Sequence, residues 1–355
     1  MAWRDDAHAR DVTRRSAFAA MLRGHLRTDP SMPSSRSALP AAPAAPATPA
    51  TPATPALRPF TRGELLSALA IVVIWGTNFV VMKSALRHFT PFQLGAGRYL
   101  FAVLPLLLFI KPPRLHWKWV VLYGLAQGVG QFGFLFTALR AGMTASLASV
   151  LMQTQVFFTA IFSYLLLREQ PGRPLQAGLV LAGAALACFA WPYLLPQGGT
   201  ALGAVTAAGL VLNLCAAASW GVSNVIARQA QASSTGFDPL ALVVWASLVP
   251  IVPFIALSWM LDAPQARWAW LQADAWSWAA VAYLGWVATI AAYGLWMALL
   301  KRHPANRVAP FSLGVPVVGV TAGMVLLDET LSATQWAGIV LVAAALACVM
   351  FWRRR

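Results

Sequence analysis

Charge is scarce in this sequence, and negative charge scarcest. Of 355 residues only 10 % are Asp, Glu, Lys or Arg, and just 11 are acidic. A soluble domain carries about a quarter charged residues, so an ordinary water-facing surface is excluded. No Asp or Glu falls deep in a long apolar run, which leaves no mid-membrane carboxylate to carry a proton. Cysteine is nearly absent too. Cys188, Cys215 and Cys348 lie in apolar stretches without a CxxC neighbour, so they read as small buried hydrophobes rather than metal ligands. HExxH and G-x-S-x-G motifs are missing, and His88, His116 and His303 lie near loops. Enzyme, metal and cofactor roles therefore have no candidate residues. The formal charge of +15 raises nucleic acid as a partner, but the cations flank apolar segments instead of forming a stripe, so no nucleic acid is expected.

What the sequence has in abundance is apolar length. It is 59 % hydrophobic with a mean hydropathy of +0.64. A helix needs about 20 residues to cross a bilayer, and ten such segments follow one another: 64–84, 91–110, 117–138, 145–167, 174–194, 202–228, 238–261, 276–300, 305–327 and 333–352. The expectation is an all-α integral membrane protein in a lipid bilayer. Loops between the segments are short and rich in Pro, Gly or charge, as in KPPR, REQPGRP and KRHPANR. Trp117, Trp119, Trp191, Trp268, Trp270 and Trp276 sit near segment ends, where amphipathic rings prefer the interface. Residues 1–60 differ. AAPAAPATPATPATPA cannot continue a helix and reads as part of a disordered, basic, Ala/Pro-rich tail. TRRSAF has the look of a twin-arginine signal, but the apolar run behind it stops at Arg23, too short for a signal core.

Orientation follows from the cations. With the N-terminus in the cytoplasm, inner segments hold Lys111, Arg114, Lys118, Arg168, Arg173, Arg228, Lys301, Arg302, Arg307 and Arg353 to Arg355, against Lys83, Arg87, Arg140 and Arg267 outside. The positive-inside rule then puts both termini in the cytoplasm. An even number of spans requires the same.

The chain also repeats itself. VIWGTNFVVMKSA (73–85) is echoed by SWGVSNVIARQA (219–230), and AGLVLAGAALAC (177–188) matches AGIVLVAAALAC (337–348) at nine of twelve positions. LLLREQ parallels VLLDET, setting Glu169 opposite Glu329, while Pro91 and Pro105 correspond to Pro239 and Pro253. Five spans, duplicated, make repeats of 61–200 and 201–355. An odd number of spans per copy inserts the second upside down, the architecture of alternating-access carriers with a site near mid-membrane.

The segments WGTNFVVMK, LGAGRYLFAVLPLLL, GMTASLASVLMQTQVFFTAIFSYLLLRE and RVAPFSLGVPVVGVTAGMVLLDE resemble the EamA family of the drug/metabolite transporter superfamily, over residues 64 to 352. Within it, GQFGFLFTAL, QTQVFF, VVWASLVPIVPF and VATIAAYGLWMALLKRHPANRVAP are most similar to the bacterial exporters of O-acetylserine and cysteine. The resemblance implies an inner-membrane exporter of a small zwitterionic metabolite.

Polar residues at membrane depth are costly and mark candidate sites. Arg98 lies well inside the second span, where a cation facing a cavity would hold a solute carboxylate; snorkelling to the headgroups is the alternative. Gln127 and Gln131 share a face of the third span, and Gln153 and Gln155 lie in the fourth. The glutamines line a cavity or bond between helices; among them Gln131 and Gln155 are the stronger cavity candidates. Trp75 and Asn78 in the first copy, and Trp220, Ser223 and Asn224 in the second, form symmetry-related cavity walls, whereas Gly76 and Gly221 serve helix packing. Tyr293 and Trp296 face them from the eighth span. Pro316 predicts a kink in the ninth span only, because Val156 stands opposite it. Glu169 and Glu329 read as interfacial caps or loop contacts. An exporter of aromatic amino acids or small drugs is a second reading; a passive channel, a scramblase and a non-transporting assembly partner are further ones.

Overall fold

The computed structural model describes residues 59–351 apart from residues 105, 195–205, 235–236 and 304. The expectations for the tail and for Pro105 fall almost wholly outside these residues. Ten helices have the length and apolarity of membrane spans: α1 (Arg62–Ala85), α2 (Pro91–Leu108), α3 (Trp117–Arg140), α4 (Ala145–Leu167), α5 (Arg173–Trp191), α6 (Ala207–Ala232), α7 (Pro239–Leu261), α8 (Ala275–Arg302), α9 (Ala309–Leu326) and α10 (Ala333–Phe351). Their starts follow from side chains that satisfy free N–H groups. Thr61 with Glu64, and Thr90 with Gln93, form capping boxes. Thr144 caps α4, Thr206 caps α6 and Asp274 caps α8. Pro91 and Pro239 occupy first-turn positions where no N–H is needed. Large apolar side chains on the outer faces, such as Val180, Val252, Met260 and Val317, are exposed, as expected where the surrounding medium is hydrocarbon.

The repeats interlock. Gly76 of α1 meets α9, where an added Cβ would lie 2.5 Å from Val318 Cβ; Gly221 of α6 meets α4, where it would lie 2.9 Å from the Thr159 nitrogen. Each copy of the Trp-Gly helix thus crosses a helix of the other repeat at its glycine, and any larger residue would push the pair apart. The helices α5 and α10 pack on each other, Gly178 against Val349 and Ala345.

Four departures from regular helix matter for the site. The third span of each repeat contains a nine-residue π-helical stretch, Gly124–Phe132 in α3 and Tyr283–Ala291 in α8. Such i→i+5 segments are rare and concentrate at functional sites. The single kink expected from Pro316 is a correction: both halves break. A 3₁₀ turn spans Ala309–Leu313 at the start of α9 and another spans Met152–Thr154 within α4. The α4 turn needs no proline, because Thr154 Oγ1 donates to the Leu151 carbonyl at 2.6 Å and draws it out of the regular ladder. A regular helix would pair the Ser312 carbonyl with the N–H of residue 316, which Pro316 lacks; Gln153 Nε2 donates to it instead at 3.0 Å. The cysteines are a second correction, being half-buried rather than buried.

Finally, α4 and α9 end in the same turn. Arg168 (φ 57°) and Asp328 (φ 52°) are left-handed, and the next residue's N–H returns to a carbonyl six positions back, Glu169 to Ser163 and Glu329 to Gly323. This is a Schellman-type stop that swings each glutamate back over its helix end. The two membrane ends are named below by the cation beside each glutamate: the Lys83 end and the Arg228 end.

Candidate functional site

Arg98 is the largest fully buried side chain among the described residues, 2 % exposed. It points into a small cavity between α2, α3, α7 and α8, lined also by Tyr99, Tyr123, Gln127, Phe132, Thr289 and Tyr293. Its volume is about 20 Å³, room for a water molecule but not for an amino acid. Both π stretches border it, giving Gln127 and Phe132 from one and Thr289 from the other. α7 comes close because α3 has glycine there: a Cβ on Gly124 would lie 2.6 Å from the Ala246 carbonyl oxygen.

The guanidinium stacks over Phe132, 3.9 Å from the ring centroid, and its Nε and Nη1 have no hydrogen-bond partner. A charge at mid-span costs about 3 kcal/mol on insertion scales, and a desolvated cation–π contact returns roughly 2 kcal/mol. The unmet donors are the remaining deficit, and a carboxylate is the group that fits them bidentately. The one side-chain amide in the lining is already engaged. Gln127 accepts from Ser223 Oγ through Oε1 and offers Nε2 to Tyr293 Oη at 3.4 Å.

The other polar candidates are distributed around this cavity rather than in it. Trp75 donates from Nε1 to the Ala288 carbonyl at 3.1 Å, and its ring lies edge-on to Tyr293 at 5.3 Å and tilted against Trp296 at 5.5 Å. It supports the cavity wall from behind. Gln155 and Asn224 bond to each other between α4 and α6, Nδ2 to Oε1 at 2.7 Å, with Thr159 completing the set. Asn78 is buried, its Oδ1 unpaired and its Nδ2 on Met82 Sδ at 3.8 Å. Gln131 lies four residues beyond Gln127, buried with Oε1 unpaired. Trp220 is half-buried against the core.

Tyr99, Tyr123 and Thr289 were not singled out by pattern. The signal was present for Tyr123, which stands four residues before Gln127, and for Tyr99, adjacent to Arg98. Asn213 was also passed over; it is fully buried in α6 with neither amide atom paired. No cluster of metal-ligating side chains occurs among the described residues.

Two interlocked inverted repeats around a polar pocket at mid-span define a membrane transporter. The chain belongs to the EamA-like transporter family, which it matches over residues 62–191 and again over 207–351. It is 38 % identical over 287 residues to the probable amino-acid metabolite efflux pump of Salmonella typhimurium, covering 81 % of this chain and 94 % of that one. It is 36 % identical over 298 residues to the protein of the same description in Escherichia coli, covering 83 % and 98 %. A solved crystal structure superposes with a TM-score of 0.53 over 81 % of this chain and 96 % of its own, at 19 % identity, a likeness of fold alone. The chain is a multi-pass membrane protein of this family.

Proposed function

We propose that this protein exports a small amino-acid-type metabolite, of the size and class of O-acetylserine or cysteine, across a bacterial inner membrane by alternating access, with both termini in the cytoplasm. The observation that carries the reading is Arg98: a buried cation with unpaired donors, facing a mid-span cavity whose mainly apolar wall includes a few neutral polar groups. A carboxylate-bearing solute completes its hydrogen bonding, and the pairing is charge-assisted. The descriptions of the two bacterial relatives as amino-acid metabolite efflux pumps support the same class. The cavity is too small for such a solute as it stands, so loading requires the helices around it to separate, as alternating access demands. The aromatic wall of Tyr99, Tyr123, Phe132 and Tyr293 favours an aromatic amino acid as the second reading.

The test uses purified protein in liposomes loaded with radiolabelled O-acetylserine or cysteine, with leucine and phenylalanine alongside. The expected result is saturable release of the first two and none of leucine, reduced at least about ten-fold in Arg98→Ala, the loss of one charge-assisted pair. Release unchanged by that substitution would remove Arg98 from the site, and release of phenylalanine alone would promote the second reading.

A further inference from the structure

The reading above assigns Arg98 a carboxylate but leaves the other end of the solute unexamined. Resting on that reading, the charge inventory of the cavity goes further. Arg98 is the only charged side chain in the lining; Tyr99, Tyr123, Gln127, Ser247, Thr289 and Tyr293 are neutral. Their acceptors are partly taken: Gln127 Oε1 accepts from Ser223. Ser247 and Thr289 direct their hydroxyl protons to backbone carbonyls of Val243 and Leu284, at 2.7 and 2.8 Å, so their oxygens remain as neutral acceptors. Among the described residues the only buried carboxylate is Glu64. It lies in the first turn of α1, held by Thr61 N–H at 2.8 Å and facing His303 Nε2 at 3.1 Å. No negative side chain is available to an ammonium bound beside Arg98.

A zwitterionic amino acid would therefore bring a second cation into a small cavity that already holds one and offers no negative side chain. Its carboxylate would neutralise the guanidinium, and its ammonium would meet only neutral hydroxyl oxygens and aromatic faces, with no counter-charge to offset its burial. A solute with a carboxylate and a neutral remainder leaves the loaded cavity without net charge. We propose that the Arg98 cavity selects solutes carrying one net negative charge, so N-acylated amino acids and other small monocarboxylates bind in preference to the parent zwitterions. The phenols and the Ser247 and Thr289 oxygens then read the uncharged N–H and C=O of the acyl group.

N-acetylserine and O-acetylserine are isomers that differ in which heteroatom carries the acetyl group, so the first is an anion and the second a zwitterion at neutral pH. Proteoliposomes preloaded with either radiolabelled isomer, and challenged with the other outside, give relative affinities directly. The expected result is half-saturation by N-acetylserine at a concentration at least ten-fold lower, with O-acetylserine methyl ester, which lacks the carboxylate, inactive. Arg98→Gln, which removes the cavity's only charge while keeping a polar side chain, should abolish the preference between isomers. Equal or tighter binding of O-acetylserine would overturn this inference while leaving the exporter reading intact. So would a preference for N-acetylserine that persists in Arg98→Gln. Release of neither isomer from protein that remains monodisperse and helical in detergent would overturn both.

Discussion

The turns that close α4 and α9 share a backbone and differ in what their carboxylates hold. At the Lys83 end, Glu329 accepts from the Ala145 and Ser146 amides at 2.7 and 2.8 Å and from Ser146 Oγ at 2.6 Å. It therefore caps the first turn of α4, a helix of the other repeat, where a negative group is favoured by the free N–H groups and the helix dipole. Lys83 beside it donates to the Met143 carbonyl. At the Arg228 end, Glu169 makes a 2.6 Å ion pair with Arg228, both side chains about half exposed (47 % and 49 %), and Arg228 also reaches Ser163 Oγ at 3.0 Å. The sequence element is one and the same, and the outcomes are two. One end is drawn together by a partly buried, charge-assisted cap; the other is joined by a solvated pair. An inverted repeat whose halves were fully symmetric would have both ends in one condition, so the halves depart from symmetry here.

That contrast can be broken most readily at its stronger side. Glu329→Ala leaves two amides and a hydroxyl of α4 without their acceptor, a loss of about 2 kcal/mol for a charged cap. Met143, fully buried at that end, reports the opening. In a background with the three native cysteines replaced by alanine, Met143→Cys should react with a membrane-impermeant maleimide at least ten times faster when Glu329 is alanine. An unchanged rate would mean the cap does not hold the end together. A smaller effect is expected from Gln153→Leu, which strands the Ser312 carbonyl that Pro316 already denies an N–H. About 1 kcal/mol is typical of such interhelical bonds in membranes, read as a lowered midpoint in thermal denaturation in detergent. Smallest of all is Glu169→Ala: a half-exposed pair is worth roughly 0 to 1 kcal/mol, so the melting midpoint should stay within error of wild type. A Glu169→Ala midpoint that falls as far as that of Glu329→Ala would erase the distinction between the ends.

Much of this architecture was legible in the residues. Run length located all ten spans to within a few residues, because hydrocarbon permits few alternatives to a helix of sufficient length. The Trp-Gly echo pointed correctly to helix crossings at Gly76 and Gly221. Arg98 stood out because a lone cation at depth is costly wherever it occurs. The helical irregularities were not readable. Hydropathy reports which face of a helix is apolar, and is blind to whether its ladder runs i→i+4 or i→i+5, so the π stretches of α3 and α8 left no trace. The α4 break was missed because proline was taken as its cause, whereas a threonine hydroxyl supplies it. Nor does spacing decide which of two glutamines on one face borders a cavity. Gln127 does so because Tyr293 and Ser223, far away in sequence, come to meet it.

The crossing of α1 with α9 has a consequence for how the protein is made. Gly76 and Val318 touch although 242 positions separate them (318 − 76). At about 5 to 20 residues per second, the ribosome takes roughly 12 to 48 seconds to supply the partner of the first helix after that helix has emerged. Throughout that interval the glycine face of α1 can only be covered by lipid or by a temporary neighbour, and the same holds for much of the first repeat. The duplicated half is thus a unit of sequence and not a unit of assembly. A chain interrupted before α9 would be inserted, membrane-bound and unfinished, a substrate for quality control rather than a half-sized transporter.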